Sequence, residues 1–299
     1  MHRDIQTVLR GLAESGYVAD RAIATSVHLA LSLEKPLLVE GAAGVGKTEI
    51  AKALATWLDL ELIRLQCYEG LDIFSSLYEW DYQRQLLRIR LEPDGSDPQA
   101  VESAIYSEHY LLARPLLQAI RSERRVVLLI DEVDRSDEEF EAFLLELLSD
   151  FQVSIPELGT VTATTRPVVV LTSNGTRELS DALRRRCLYL WIDYPSADKE
   201  LEILRRRAPD VSEHLARRTV DFVQRLRSEP LSKPPGVAET LDFAAALTAL
   251  GADRLGPAAR DALGALIKDP HDLAALAGKA LAALLTPDGP GDEGAEDAR

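Results

Sequence analysis

Apolar residues follow two different spacings along the chain, and the change between them falls near Pro195. Before it, short apolar runs alternate with segments in which apolar residues recur every three or four positions. Short runs are typical of buried parallel strands, whereas the longer spacing predicts helices. The runs occupy residues 36–40, 126–130, 167–172 and 188–192. Beyond Pro195 no strand pattern is convincing. Helical spacing occurs there over residues 197–208, 212–228, 237–250, 257–267 and 272–285.

This change of spacing predicts an α/β domain with a mostly parallel sheet, followed by a smaller all-α domain. The length favours the same division, because 299 residues exceed what one hydrophobic core usually organises. We place the α/β domain at residues 1–195 and the helical domain at residues 196–286. Residues 287–299 are rich in Gly, Asp and Glu, and we expect a disordered acidic tail there.

A glycine-rich loop follows the first apolar run directly and has the spacing G-x-x-x-x-G-K-T. In such a loop the backbone N–H groups point at phosphates, Lys47 reaches the β- and γ-oxygens, and Thr48 binds Mg²⁺. A helical pattern follows, so the phosphates lie at a helix N-terminus, where the helix dipole favours anions. The sequence therefore predicts an NTP-binding loop made of Gly41, Ala42, Ala43, Gly44, Val45, Gly46, Lys47 and Thr48.

The apolar run 126–130 ends in Asp131 and Glu132. At the carboxyl edge of a parallel sheet, Asp131 is suited to hold Mg²⁺, and Glu132 is suited to polarise the attacking water. The alternative is that the pair only ends the strand. Ser136 and Glu139 have the spacing of a capping box, which predicts that a helix begins directly after the pair.

Two further features complete a phosphate-hydrolysing site. The run 167–172 delivers Asn174 to the same sheet edge, where its amide is suited to position a water molecule. Arg184, Arg185 and Arg186 follow at a predicted helix end, and an arginine near a γ-phosphate neutralises transition-state charge. Taken alone, three arginines are more typical of a solvated basic face. Their place after the other motifs favours the catalytic interpretation.

Walker A, Walker B with Asp-Glu, a polar sensor and an arginine run, in this order, resemble the AAA+ ATPases. Residues 151–163 hold two alternating strands around a Pro-Glu-Leu-Gly turn, which predicts a hairpin. A hairpin at this point resembles the pre-sensor-1 insertion, and the helix and hairpin from Leu144 onward are similar to the MoxR group. Residues 62–72, 77–87 and 236–242 resemble the CoxD-type members of that group.

The resemblance implies a P-loop three-layer sandwich with a helical lid. It also implies a chaperone-like, Mg²⁺-dependent ATPase that forms a homo-oligomeric ring, expected to be a hexamer. A von Willebrand factor A partner and a metalloenzyme client, of the molybdenum hydroxylase or carbon monoxide dehydrogenase type, are implied too.

Carried over residue by residue, the resemblance makes Asn174 sensor 1 and Arg186 the finger acting across subunits, with Arg185 as the second choice. By the same resemblance Val18 and Ala19 line the adenine. The sequence has no guanine-reading Asn-Lys-x-Asp motif, which favours ATP. One departure stands out, because MoxR relatives carry a sensor-2 arginine where residues 236–240 offer Glu239 and Thr240.

Charge, cysteine content and hydropathy bear on the kind of partner and on the cellular compartment. A formal net charge of −15 argues against a protein that neutralises nucleic-acid phosphates. Cys67 and Cys187 form neither a metal-ligand pattern nor a disulfide framework, which favours a reducing cytoplasm and buried packing roles. The sequence has no apolar run of eighteen residues, so we expect no transmembrane segment.

Several alternatives stay open from the sequence. Tyr78, Trp80 and Tyr82 form either a pore loop that grips a substrate or a hairpin packed against the domain. Residues 83–91 fit a helix or a strand. Besides protein remodelling, the motifs fit a DNA-processing motor, and the missing sensor-2 arginine fits a scaffold that binds nucleotide without hydrolysing it.

Overall fold

The computed structural model describes residues 4–93 and 97–276. The chain forms two compact units, and the division falls between Asp193 and Tyr194. The strands within the described residues are β1 (Leu37–Gly41), β2 (Leu62–Gln66), β3 (Tyr78–Trp80), β4 (Leu111–Ala113), β5 (Val127–Asp131), β6 (Gln152–Ile155), β7 (Gly159–Thr162), β8 (Val168–Ser173) and β9 (Leu188–Ile192).

The helices of the described residues surround the sheet in the first unit and make up the second. In chain order they are α1 (Ile5–Glu14), α2 (Arg21–Leu33), α3 (Lys47–Leu58), α4 (Ile73–Leu77), α5 (Tyr82–Leu91), α6 (Pro98–Ile105), α7 (Pro115–Arg121), α8 (Glu138–Asp150), α9 (Asp181–Arg186), α10 (Ala197–Arg207), α11 (Glu213–Arg227), α12 (Val237–Ala249), α13 (Pro257–Asp261), α14 (Leu263–Leu266) and α15 (Pro270–Ala275). Short 3₁₀ turns occupy Glu108–Tyr110 and Val133–Arg135.

Five parallel strands form the main sheet in the order β2-β5-β8-β1-β9. Every residue of β1, β5 and β8 is buried, because helices cover both faces of the sheet centre. The edge strands β2 and β9 alternate between buried and more exposed positions. The continuous apolar runs thus correctly predicted the strands at the centre of a mostly parallel sheet.

Helices on the two faces complete a three-layer α/β sandwich. On one face, α2 and α3 contact the sheet and α1 packs on both helices. On the other face, Leu117 of α7, Phe140 of α8 and Leu183 of α9 share one core with the strands. All parallel strands end at the same edge, and this edge collects the polar side chains described below.

The helix after the Walker B strand has a different cap from the predicted one. The prediction of a capping box at Ser136 and Glu139 is wrong. Asp137 is the N-cap, and its carboxylate accepts a hydrogen bond from the Phe140 N–H. The 3₁₀ turn shifts the start of α8, and the Ser136 hydroxyl donates back to the Val133 carbonyl inside that turn.

The two antiparallel ribbons decide between predicted alternatives. β6 and β7 pair as the expected hairpin. β3 pairs with β4, and Tyr78 and Trp80 are buried in the core, which favours the packing interpretation for both aromatics. Tyr82 is exposed at the start of α5, and residues 83–91 are helical.

The second unit is helical, with Phe222, Phe243 and Leu266 in its core. The helix predicted over residues 257–267 is two short helices, α13 and α14, and Gly264 lowers helix propensity in this segment. Of the helix predicted over residues 272–285, the structure describes α15, which begins at Pro270. The remainder, and the predicted tail 287–299, lie outside the described residues.

The two cysteines differ in exposure. Cys67 is buried as expected, whereas Cys187 is half-buried. Burial raises the pKa of each thiol to about 12. Both thiols are therefore protonated at neutral pH and suited to packing rather than to nucleophilic chemistry. Among the described helices, none is long and apolar enough to cross a membrane.

Candidate active site

The glycine-rich loop connects the end of β1 to the start of α3, as the sequence predicts. Gly46 is the N-cap of α3 and has a φ of 93°, a backbone conformation that favours glycine. A Cβ atom on Gly41 would stand 2.1 Å from the Ile192 carbonyl oxygen. Close approach to β9 therefore leaves no room for a side chain at this position.

Lys47 is buried, and its ammonium group joins the loop to Asn174. The Nζ atom donates to the Gly41 carbonyl at 2.8 Å, to the Ala42 carbonyl at 2.6 Å and to Asn174 Oδ1 at 2.8 Å. Burial lowers the pKa of Lys47, and the carboxylates of Asp134, Asp131 and Glu132 oppose this shift. The predicted phosphate-binding lysine and sensor are thus in direct contact.

Asp131 is buried at the end of β5, next to the first turn of α3. Its Oδ1 atom accepts hydrogen bonds from the hydroxyls of Thr48 at 2.9 Å and Thr172 at 2.6 Å. The Arg64 guanidinium lies on the opposite oxygen, with Nε at 3.0 Å. Hydroxyl and carboxylate oxygens are ligands that Mg²⁺ prefers, usually one or two per site together with phosphate oxygens. Thr48 and Asp131 fit that requirement.

Glu132 follows Asp131 with a φ of 56°, so the backbone leaves the sheet at this residue. Its backbone N–H donates to the Thr172 hydroxyl at 2.9 Å. The carboxylate accepts from Asn174 Nδ2 at 3.3 Å and from Gln66 Nε2 at 3.0 Å. Arg135 lies 3.6 Å from the same carboxylate. The predicted base is half-buried and is oriented by the Gln66 amide at the end of β2 and the Asn174 amide directly after β8.

Asn174 therefore links Lys47 to Glu132 through the two ends of one amide. Its own backbone N–H donates to Asp134 Oδ1 at 3.2 Å. Beside Asn174 lies a cavity of about 640 Å³. The cavity is lined by Glu69, Gly70, Asp134, Arg135, Ser136, Asp137, Glu138, Asn174, Thr176 and Arg177.

The three arginines of α9 have different environments. Arg184 forms an ion pair with the buried Glu40 at 3.0 Å and lies over the Tyr189 ring. Arg186 is exposed, and its Nε donates to the Ser149 hydroxyl at 2.7 Å. The Arg185 side chain is exposed and forms no hydrogen bond or ion pair with the described residues. Among the described contacts, none of the three arginine side chains forms a hydrogen bond or ion pair with Lys47, Asp131, Glu132 or Asn174.

The segment expected to line the adenine joins α1 to α2. Val18 and Ala19 are half-buried there, and the Asp20 side chain caps α2. The neighbouring Tyr17 ring lies 3.9 Å from the position that a Cβ atom on Gly46 would occupy. Burial raises the pKa of Tyr17, so its hydroxyl stays protonated. This segment therefore runs beside the phosphate loop.

Four polar residues of the site were not predicted, namely Arg64, Gln66, Thr172 and Asp134. Arg64 and Gln66 lie on β2, where Gln66 is in register with Asp131. Thr172 is buried in β8 and faces the same carboxylate. A polar residue near the end of a buried strand is the available signal, but its partner depends on the order of the strands.

Residues 236–240 lie in the second unit, at the place where relatives carry the sensor-2 arginine. Thr240, the last of them, belongs to a buried polar cluster. The Thr240 hydroxyl donates to Glu200 Oε1 at 2.7 Å. Arg227 forms two hydrogen bonds of 2.7 Å with Glu200 and lies over the Tyr194 ring. Gln224 donates to Glu200 at 2.8 Å as well. Arg227 is therefore the arginine next to residues 236–240, and Glu200 neutralises it.

Comparison with known proteins gives one family. The model of the AAA family, described as the ATPase family associated with various cellular activities, matches residues 37–191, just over half of the chain. A search of curated proteins found no match. The matched range begins at β1 and ends in β9, so it holds all five strands of the main sheet.

Similar solved structures include two Thermotoga maritima RuvB chains and a Cytophaga hutchinsonii protein. The RuvB Holliday junction branch migration motor is 22% identical, with a TM-score of 0.45 over 84% of this chain and 68% of that one. Another RuvB chain is 21% identical, with a TM-score of 0.47 over 82% of this chain and 66% of that one. The Cytophaga hutchinsonii putative ATPase is 18% identical, with a TM-score of 0.49 over 88% and 85%.

Proposed function

The chain belongs to the AAA family of ATPases, and from that membership we propose that it hydrolyses ATP with Mg²⁺. One observation carries the proposal: Asn174 bonds both Lys47 and Glu132, while Thr48 bonds Asp131. A phosphate-binding lysine, a metal-binding pair and a carboxylate base thus lie at one sheet edge. Hydrolysis needs these three functions within reach of one γ-phosphate.

The roles follow from the chemistry of each group. The N–H groups of residues 41–48 and the Lys47 ammonium bind the phosphates, and Thr48 and Asp131 hold the metal. Bound there, Mg²⁺ neutralises charge on the phosphate oxygens. Glu132 accepts the proton of the attacking water, and Asn174 orients that water or the γ-phosphate. Val18 and Ala19 line the adenine.

Catalysis also requires positive charge on the γ-phosphate as the bond breaks. Arg185 and Arg186 are exposed, and their side chains form no hydrogen bond or ion pair with the described site residues of their own chain. We therefore assign them to the site of a neighbouring subunit, with Arg186 as the main finger. Such head-to-tail contacts close into a ring, for which we propose six subunits.

The more specific function rests on the sequence resemblance and on the β6–β7 hairpin. We propose a MoxR-type, CoxD-like remodeller in the cytoplasm that acts on a metalloenzyme client with a von Willebrand factor A partner. The nucleotide-binding domain then extends over residues 1–195, and residues 196–286 form the lid. Glu200 neutralises Arg227, so this arginine does not serve as the γ-phosphate sensor of the lid.

Glu132→Gln tests the chemical assignment. The amide cannot take a proton from water, so we expect turnover to fall about 10²- to 10⁴-fold while ATP binding persists. Glu139→Gln is the control, because Glu139 is exposed on α8 near the site. Steady-state phosphate release and binding of a fluorescent ATP analogue measure the two quantities. Wild-type chain that binds ATP without turnover would indicate the scaffold alternative.

Arg186→Ala tests the shared site. Loss of a finger arginine lowers turnover about 10³- to 10⁵-fold. Addition of Lys47→Ala chains, which keep their arginines, should restore part of the rate. Failure of both Arg186→Ala and Arg185→Ala to recover activity in such mixtures would exclude a site shared between subunits.

A further inference from the structure

Residues 174–180 connect the sensor Asn174 to the arginine helix α9, and two buried carboxylates hold this connection. Asp134 is 3% exposed and Glu141 is 2% exposed. Asp134 lies in the 3₁₀ turn after Glu132, and Glu141 lies in the first turn of α8. Carboxylates are rarely buried without partners, so their contacts indicate what they hold.

Asp134 holds the start of the connection. It accepts hydrogen bonds from the backbone N–H of Asn174 at 3.2 Å and of Thr176 at 2.9 Å. The Thr176 hydroxyl donates to the same carboxylate at 2.6 Å. Burial raises the pKa of Asp134, but these hydrogen bonds together lower it by more, so the net pKa is below its ordinary value. Asp134 thus fixes the backbone that carries the Asn174 amide.

Glu141 holds the end of the connection. Its Oε2 atom accepts a hydrogen bond from the Ser180 backbone N–H at 2.9 Å, and its Oε1 atom forms an ion pair with Arg177. Arg177 also donates to the Ser136 carbonyl at 2.8 Å. Ser180 is the N-cap of α9, and its side chain accepts from the Leu183 N–H. The N-cap of the arginine helix is therefore fixed to α8.

The far end of α9 contacts α8 too. Arg186 donates to Ser149, one residue before the end of α8. The short helix α9 is thus held along α8, with Glu141 at one end and an exposed hydrogen bond at the other. The exposed contact contributes little. The buried Glu141 contacts therefore orient the start of the arginine helix, while Leu183 in the core and the ion pair of Arg184 with Glu40 hold its later turns.

We propose that Glu141 is a positioning residue for Arg185 and Arg186, so that it acts on the neighbouring subunit's active site rather than on its own. Asp134, in contrast, positions Asn174 within its own subunit. This inference rests on the proposed function, since it requires ATP hydrolysis at a site completed by the α9 arginines of another chain.

Mixtures of variants test this separation. Glu141→Gln removes the ion pair with Arg177. It also places the amide N–H₂ group opposite another donor, either the Arg177 guanidinium or the Ser180 backbone N–H. A displacement of about 1 Å at a reacting group costs about 10²-fold in rate, and we expect that loss in turnover for the variant alone. We expect Asp134→Asn to lose a similar factor, because its amide presents donors to donors.

Only Glu141→Gln should recover when mixed with Lys47→Ala. Glu141→Gln chains keep an intact phosphate loop, and Lys47→Ala chains keep well-placed arginines. With random mixing in equal amounts, about one interface in four combines the two intact halves, so the rate should return to about a quarter of wild type. Asp134→Asn mixed with Lys47→Ala forms no interface with two intact halves, because both variants damage the half that binds the nucleotide. Asp134→Asn mixed with Glu141→Gln does form such interfaces, so its rate should also return to about a quarter of wild type.

Controls separate the possible failures. Glu146→Gln, exposed on the same helix, should retain the wild-type rate. Where Glu141→Gln does not fold, Arg177→Met, which removes the same ion pair, should give the same recovery. If Arg186→Ala is rescued by Lys47→Ala but Glu141→Gln and Arg177→Met are not, Glu141 acts within its own subunit and the inference is wrong. If no arginine variant is rescued, the shared site of the proposed function fails, and the inference fails with it.

Discussion

The buried pair of Glu200 and Arg227 gives the sharpest prediction about the stability of the helical unit. The Glu200 side chain is fully buried and the Arg227 side chain is 7% exposed. Arg227→Met keeps the aliphatic volume but leaves the carboxylate without its cation. Removal of one partner of a buried pair costs about 3–5 kcal/mol. Thr240 and Gln224 still donate to Glu200, so we expect a value near the lower end of that range.

Two spectroscopic probes can separate this effect from the rest of the molecule. The chain has three tryptophans, Trp57, Trp80 and Trp191, and all three lie before the division at Asp193. The tryptophan signal therefore reports on the first unit, whereas far-UV circular dichroism reports on the helices of both units. In a urea titration, Arg227→Met should shift a circular dichroism transition to lower urea while the tryptophan transition stays in place.

Matched variants decide whether the pair is responsible. Arg217→Met, on the same helix, breaks an exposed pair with Glu213 and should cost less than about 1 kcal/mol. Glu200→Leu combined with Arg227→Met should recover most of the loss, because apolar replacements of a buried pair are often neutral. A shift for Arg227→Met no larger than that for Arg217→Met would refute the reasoning.

Three further predictions concern buried or crowded positions. The Thr219 hydroxyl is buried and has no hydrogen-bond partner among the described residues, so Thr219→Val should stabilise the chain by about 1 kcal/mol in urea unfolding. Thr248→Val, which removes a hydrogen bond to the Ala244 carbonyl, should not stabilise it. A Cβ atom on Gly11 would stand 2.0 Å from the Trp57 ring. Gly11→Ala should therefore lower the free energy of unfolding by about 1–3 kcal/mol and shift the fluorescence emission of Trp57. Unchanged emission and stability would contradict this packing. The pKa of Asp134 is lower in the folded chain than in the unfolded chain, so its ionised carboxylate stabilises the fold at pH values above about 4. This stabilisation is lost as the pH falls through the folded pKa. The difference in unfolding free energy between wild type and Asp134→Asn should therefore shrink over that pH range.

The sequence predicted those parts of the fold that depend on neighbouring residues. A continuous apolar run is sufficient to indicate a strand covered on both faces, and β5 and β8 are such strands. Residues at the ends of these strands reach one sheet edge whatever the order of the strands. The sequence therefore predicts that Lys47, Asp131, Glu132 and Asn174 meet at this edge.

Features that depend on single-residue detail were less accessible. Ser136 and Asp137 are both good caps, and only the 3₁₀ turn before α8 decides between them. Tyr78 and Trp80 alternate with acidic residues in a way that fits an exposed ribbon equally well. Their burial depends on contacts with elements distant in sequence, such as the edge-on contact between Trp80 and Tyr106.

Residues that hold the site together had one signal in common, which is a polar side chain among apolar neighbours. Glu141 shows it most clearly, because residues three and seven positions later are Leu144 and Leu148, both in the buried stripe of α8. A carboxylate in such a stripe must have a partner, since burial of an unpaired charge is strongly unfavourable. The pattern therefore predicts that Glu141 holds something, and only the fold identifies it as the start of the arginine helix. Glu200 in α10 follows the same rule, with Arg227 as the partner. A charged residue on the apolar face of a helix is thus evidence for a contact between elements, and the residue types alone do not reveal whether that contact serves catalysis or stability.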